Sequence, residues 1–401
     1  MTHAPTLTKQ LGLEQWPFMP VFAEPTIAFE RGRGVELWDT TGKRYLDFLS
    51  GIGVCALGHA HPAVAAAVAE QAATLLHVSN YFANPPAITA AVKLAALLEA
   101  ATGEAGQVFF GNSGAEANEC AIKLARRFGG HGRHTVVSAL GSFHGRTLAT
   151  LAATGQPAKH EPFAPMPEGF KHVPFGDLDA LRASVDGSVA AVLIEPIQGE
   201  GGVNPTPPGY LEGIRAICDE VGALLIVDEV QTGLGRTGAW FAFEASGVVP
   251  DVVTVAKALG NGMPVGACWA RTPVAAVFQP GDHGSTYSAT ALAAAAVNAV
   301  LDELQRIDAP ALALARGAHL TELLQAIPQI VGVRGSGLML GAQLADGIDA
   351  NAVYRSLLDE GLIANAVNAS TLRFLPPLVV SDAELDEAAV ILTKVLGEVA
   401  P

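Results

Sequence analysis

Short apolar runs separated by Ala-rich segments of helical spacing make up most of this chain. The runs QVFFG, HTVVSA, AAVLIEP, GALLIVDEV, DVVTVAKA and GACWA are rich in β-branched residues and apolar at nearly every position. Such strands need cover on both faces, as in a parallel sheet flanked by helices. The segments between them, beginning at HPAVAAAVAEQAATLLH, have the spacing of those helices. The centre therefore reads as α/β with a mostly parallel central sheet. Ahead of it, IAFERGRGVELWDTTGKRYLDFLSG alternates short strands turned at Asp39-Thr40-Thr41-Gly42, a meander. Behind it, ALAAAAVNAVLDEL predicts a long helix leading out. Val331 to Pro401 then mixes short strands (GLMLGAQL, TLRFLPPL) with helices, a smaller α+β lobe. The division expected is 1–60 as the amino-terminal segment of the small lobe, 61–305 as the large α/β domain and 306–401 as the carboxyl-terminal small domain.

Composition narrows the function. A chain of 401 residues, 50% hydrophobic and 16% charged, has enough apolar sequence for a large core. Its net charge of −15 argues against a nucleic-acid or membrane partner, so any phosphate must be caught by local donors in a pocket. Cys55, Cys120, Cys218 and Cys268 are far apart, without a CxxC pair. They read as buried small hydrophobes, not as a zinc site or a disulfide framework. The first residues lack a basic segment followed by an apolar one, and no long uncharged apolar stretch occurs later. A soluble cytoplasmic protein is expected, with no metal.

Several turns carry candidate chemistry. In VFFGNSGAEANECAIKLARR a small-residue turn joins a strand to a helix, so Ser113, Gly114 and Ala115 stand at a helix start whose free amides attract anions. An ordinary capped turn is the alternative, and the G-x-G-x-x-G dinucleotide spacing is missing. GSFHGRT places Phe143, His144 and Arg146 after another strand, where a ring can stack and a guanidinium can clamp a carboxylate. Taken singly, Phe143 reads better as a core residue and Arg146 as a surface ion-pair partner. VDEVQTGLGRTG puts Asp228 at the carboxyl end of an apolar strand, and TVAKALGNGMP puts Lys257 at the end of the next, with room for a helical crossover between. A lysine in apolar surroundings is suited to Schiff-base chemistry, and a carboxylate near it can keep a pyridoxal nitrogen protonated. The alternative is a buried Asp–Lys ion pair, or two unrelated loop residues. IEPIQGEGG offers Glu195 and Glu200, LRFLPPL offers Arg373, and Ser285 and Thr286 of HGSTYS offer hydroxyls to a phosphate. His59 and His61 read as turn or core residues. The absence of HExxH and GxSxG weakens zinc and serine hydrolysis.

Together, LWDTTGKRYLDFLSGIGVCALGHAHP, NSGAEANE, FHGRT, EPIQGEGG, LLIVDEVQTGLGRTG, AKALGNGMPVGA, HGSTYS and LRFLPPL resemble, in family order, the class III (ornithine-type) pyridoxal-phosphate aminotransferases. Within that family the branch acting on N-acetylornithine is the most similar, and the resemblance covers nearly the whole chain. It implies a fold type I transferase with pyridoxal 5′-phosphate, and it assigns roles to residues. Lys257 becomes the Schiff-base and proton-shuttling lysine, Asp228 the partner of the pyridine nitrogen, Gln231 a neighbour of the phenolic oxygen and Phe143 the stacking ring. Ser113, Gly114 and Ala115 form the phosphate cup, with Thr286 donated by the other subunit of a homodimer. Arg146 takes the α-carboxylate of the acetylated donor and Arg373 that of glutamate or 2-oxoglutarate. Glu200 masks Arg373 for the longer donor, and Ser285 lines the substrate pocket.

The implied reaction moves the ω-amino group of N2-acetyl-L-ornithine to 2-oxoglutarate. Related donors, namely succinyl-diaminopimelate, ornithine, 4-aminobutyrate, lysine and succinylornithine, are alternatives within the class. A nicotinamide-dependent oxidoreductase and a non-catalytic binding protein are rivals from other classes. Two departures from the family stand out: SATALA follows HGSTY where relatives carry a Gly-Gly-Asn-Pro-like stretch, and Ala83 replaces the bulky tyrosine of ornithine-specific relatives.

Overall fold

The structure, a computed structural model, describes residues 7–10 and 12–399. Along the chain the strands are β1 (Phe29–Arg33), β2 (Glu36–Asp39), β3 (Arg44–Asp47), β4 (Gly106–Gly111), β5 (Thr135–Ala139), β6 (Phe170–Val173), β7 (Val189–Ile194), β8 (Ile197–Gln198) and β9 (Asn204–Pro205). They continue with β10 (Leu224–Asp228), β11 (Val252–Val255), β12 (Gly266–Arg271), β13 (Ile330–Ser336), β14 (Met339–Leu344), β15 (Leu362–Ile363), β16 (Asn365–Asn368) and β17 (Thr371–Phe374). The central sheet runs β4-β12-β11-β10-β7-β5-β6, which gives the protein its α/β class. From β11 through β6 every pairing is parallel, whereas β12 is antiparallel to both its neighbours. The link from β11 to β12 is a short turn, too short for the crossover that a parallel pair requires.

The continuous apolar runs follow from burial on both faces. Every residue of β5, β7, β10 and β11 is buried. Alternate residues go to opposite sides, so Leu225 and Val227 join one hydrophobic cluster while Leu224 and Ile226 join another. Helix Gly114–Gly129 packs on β4, β7, β11 and β12, and helix Ala291–Arg306 packs on helices Pro62–Thr74 and Pro85–Thr102.

Three sequence expectations change. The β10–β11 connection contains no α-helix, only the 3-10 turn Ala242–Ser246, because glycines interrupt any helical run there. Strand β6 was not expected, since Lys171 and His172 break its apolar pattern. Cys55 is only half-buried, although Cys120, Cys218 and Cys268 are buried.

At the amino end β1, β2 and β3 form the predicted meander, and β3 takes β15 as a parallel partner. The carboxyl-terminal sheet, β13-β14-β17-β16, is antiparallel throughout and carries Arg373 on β17. The β8–β9 hairpin carries Glu200 toward that sheet, and Arg334 of β13 fixes it by donating to the carbonyls of Gly202 and Val203 at 2.9 and 3.1 Å. No helix among the described residues is long and apolar enough to cross a membrane.

Candidate active site

A cavity of about 380 Å³ opens at the carboxyl ends of the parallel strands. Ser113, Gly114, Ala115, Phe143, Arg146, Glu200, Asp228, Gln231 and Lys257 all line it. Thr286 and Ser285 are not among its walls.

Asp228 closes β10 and is held by three donors. Val230 N reaches one oxygen at 3.0 Å; Asn118 Nδ2 reaches the other at 2.8 Å, and His144 Nδ1 lies 2.8 Å from that same oxygen. Asn118 is itself fixed, accepting from Thr254 Oγ1 at 2.8 Å and donating to the carbonyl of His144 at 2.9 Å. Thr254 is the register partner of Asp228 on β11, and helix Gly114–Gly129, packed on β11, brings Asn118 to both. His144 Nε2 is buried without a partner. Asp228 is therefore not the ion-pair partner of Lys257.

Lys257 follows β11 and starts the 3-10 turn Lys257–Gly260 with φ +44°, a left-handed conformation that costs a non-glycine residue strain. Burial depresses its amine to about 8, Glu200 opposing and Arg373 assisting. The neutral, nucleophilic form is thus accessible near neutral pH. Glu195, also buried beside the cavity, is pushed up to about 7 by burial; His144 opposes this and the Asp228 carboxylate reinforces it. Its carboxylate accepts from Phe143 N at 3.0 Å and so sets the turn that presents the ring.

At the opposite wall Ser113 caps helix Gly114–Gly129, accepting from Glu116 N at 3.2 Å, and leaves the amides of Gly114 and Ala115 at the helix start. The backbone is closely packed here. A Cβ on Gly114 meets Val230 at 2.9 Å. Ser285 is half-buried and 3.4 Å from Asn112 Nδ2, while Thr286 is exposed on the same chain's surface.

Two arginines serve the pocket: Arg146 lines it, and Arg373, behind the lining, bonds Glu200 and Gln231, which do line it. Arg373 is fully buried; NH1 donates to Glu200 Oε1 at 2.5 Å and to Gln231 Oε1 at 3.3 Å, and Nε to Asn365 Oδ1 at 3.0 Å. NH2 has no partner. Burial raises the Glu200 carboxyl, but Arg373 outweighs it and the net shift is downward. Gln231 thus accepts from the same Arg373 nitrogen as Glu200. Arg146 is exposed at the mouth, its guanidinium carbon 5.6 Å from the Phe143 centroid.

Sequence reading missed Asn118 and gave His144 no role. Asn118 had one legible signal: a poor helix former placed one turn after Gly114 in an otherwise apolar helix face.

Comparison with known proteins agrees over the whole chain. The family model Aminotransferase class-III matches residues 19–396. An acetylornithine aminotransferase of Gloeobacter violaceus is 47% identical over 98% of each chain. One of Corynebacterium efficiens is 46% identical over 96% of this chain and 97% of its own. Among solved structures, the ornithine aminotransferase of Toxoplasma gondii superposes with a TM-score of 0.90 at 32% identity, covering 98% of this chain and 94% of that one. The N-acetylornithine aminotransferase of Stenotrophomonas maltophilia gives 0.80 at 35% identity, over 93% and 96%. With its strand-end lysine and carboxylate and this near full-length similarity, the chain belongs to the class-III aminotransferases.

Proposed function

We propose that this aminotransferase uses pyridoxal 5′-phosphate to move the ω-amino group of N2-acetyl-L-ornithine to 2-oxoglutarate. The products are N-acetyl-L-glutamate 5-semialdehyde and L-glutamate, a step of arginine biosynthesis in the cytoplasm. The residues present fit the cofactor. Open amides at a helix start suit its phosphate, the tethered Asp228 its ring nitrogen, Phe143 its face, and the buried Lys257 amine its aldehyde. When bound, the cofactor supplies an electron sink for the carbon that loses its proton.

The chain's own groups do the rest. Lys257 would hold the cofactor, and its free amine would take the proton from the substrate carbon bearing the donor amine and later return it. Asp228, fixed by Asn118 and His144, would hold the ring nitrogen. The observation that carries the substrate reading is the Glu200–Arg373 ion pair beside an unpaired Arg146. With Arg373 masked, an α-carboxylate meets Arg146 and the longer ω-amino donor fits; with Glu200 withdrawn, Arg373 receives the α-carboxylate of glutamate. Gln231 completes the pocket.

Among the described residues Tyr81, Phe82 and Tyr287 are exposed on segments joined by the His77–Tyr287 ring contact and the Asn84 to Ala289 hydrogen bond, and Thr286 lies next to Tyr287. This apolar face supports a homodimer in which Thr286 reaches the other subunit's phosphate cup.

A donor panel with 2-oxoglutarate as acceptor tests the reading. N-acetylornithine is expected to give the highest kcat/KM. A tenfold preference for ornithine, 4-aminobutyrate, lysine or a succinylated donor would replace it.

A further inference from the structure

Two cations without counter-ions share one aromatic ring at the pocket mouth. Lys159 Nζ lies 5.9 Å from the centroid of Phe143, the ring that Arg146 approaches to 5.6 Å. Lys159 ends the short 3-10 turn Pro157–Lys159. Its hydrogen bond goes to the neutral amide oxygen of Gln156, whose nitrogen is tied to the Ser142 carbonyl at 3.0 Å. Among the described residues neither Arg146 nor Lys159 has a carboxylate at ion-pair distance. Burial and the nearby Arg146 both lower the Lys159 amine, while Glu200 opposes them. Glu200 is not free to neutralise the pair, since it is bonded to Arg373. The chain has 39 acidic residues against 24 basic ones. Two adjacent cations left uncompensated in such a chain mark a place that an anion fills.

We propose that Lys159 is a second anchor, beside Arg146, for the carboxylate at the far end of the amino donor. The pair selects a far end that is a bare anion over one that also carries an ammonium. This rests on the function proposed above. N-acylation removes the α-ammonium, so an acylated donor presents a single negative charge where free ornithine presents a carboxylate and an ammonium together. Two cations attract the first; for the second, attraction and repulsion largely offset. Specificity then comes from the 3-10 turn that sets Lys159 over Phe143 as well as from the arginine.

The test compares half-reactions of the holoenzyme, wild type, Lys159→Met and Lys159→Arg, with N-acetylornithine, ornithine and glutamate. Losing one charge-assisted contact is expected to lower the ratio of kcat/KM for N-acetylornithine over ornithine about tenfold in Lys159→Met. Lys159→Arg should restore most of it. An equal fall with all three substrates, or no change in the ratio, overturns the proposal. So does a loss confined to glutamate, which makes Lys159 the receiver of the displaced Glu200 carboxylate. If the wild type does not convert N-acetylornithine, the proposed function fails. The anchor is then read from binding of N-acetylnorvaline, an unreactive anion of similar shape: weaker binding by Lys159→Met supports it, and equal binding overturns it.

Discussion

Asp228 illustrates how a single strand-end side chain becomes a directed charge. Its two oxygens are occupied by Val230 N, Asn118 and His144, so the carboxylate has one orientation and cannot turn to Lys257. Asp228→Asn keeps the shape and removes the charge. The expected result is a fall in kcat of about a thousandfold, as for loss of a preorganised electrostatic contact in a buried site, measured by steady-state assay with N-acetylornithine. Asn118→Ala leaves the charge but frees it to move. Its kcat should fall about tenfold with a shifted pH profile and an unchanged far-UV spectrum, the pattern of a positioning residue. Asp228 and Lys257 were legible because each ends an unbroken apolar run. Asn118 was obscure because its partners, Thr254 and Asp228, meet it only where helix Gly114–Gly129 packs on the sheet, which the local pattern does not encode.

At the scale of elements, two connections hold the site. Gly266 opens β12 directly behind the Ser113–Gly114 turn, where an added Cβ falls 2.2 Å from Ser113 O. Backbone must move to admit it, so Gly266→Ala should displace the helix start and raise the Kd for pyridoxal phosphate by about tenfold or more. Absorbance titration of the cofactor-free protein checks this. The β10–β11 crossover, read from sequence as helical, is instead closed by Glu229, whose carboxyl accepts from Phe243 N at 2.9 Å and from the Thr232 hydroxyl. Glu229 lies next to Asp228 on the chain, yet it belongs to the opposite side and to this loop. Burial pushes it up to about 7, with the Thr232 and Phe243 bonds opposing. A carboxyl raised on folding contributes stability that is full below its unfolded pKa and is lost as pH rises through the folded value. Wild-type Tm should therefore fall between pH 5 and 8 with a contribution from Glu229 on the order of 3 kcal/mol. Glu229→Gln, which can still accept from Phe243 N and donate to Thr232, should flatten that slope. Glu195, raised to a similar value, keeps part of it. An unchanged slope in the variant would remove Glu229 from the account.

For the whole molecule, the two chain ends share a sheet through β3 and β15, and the carboxyl-terminal sheet brings Arg373 over the cavity that the central sheet builds. Neither pairing has a local signal, because a two-residue strand such as β15 carries no period. Thr286 extends the same argument beyond one chain. It is exposed and outside its own cavity wall, while Tyr81, Phe82 and Tyr287 leave an apolar face open to solvent. If a second copy covers that face, each site combines Lys257 of one chain with Thr286 of the other. Lys257→Ala removes the amine, and Thr286→Glu places a carboxylate against a phosphate, so each variant alone should be nearly inactive. Co-expressed, half of the dimers are mixed, and each mixed dimer holds one site with both native residues and one with neither. Activity should then return to about a quarter of the wild-type value per chain, by the symmetry of a closed dimer. Differently tagged chains purified in sequence isolate the mixed dimer, for which the expected value is about one half. An isolated mixed dimer as inactive as its parents would place Thr286 in the site of its own chain, and the shared-site reading would be wrong.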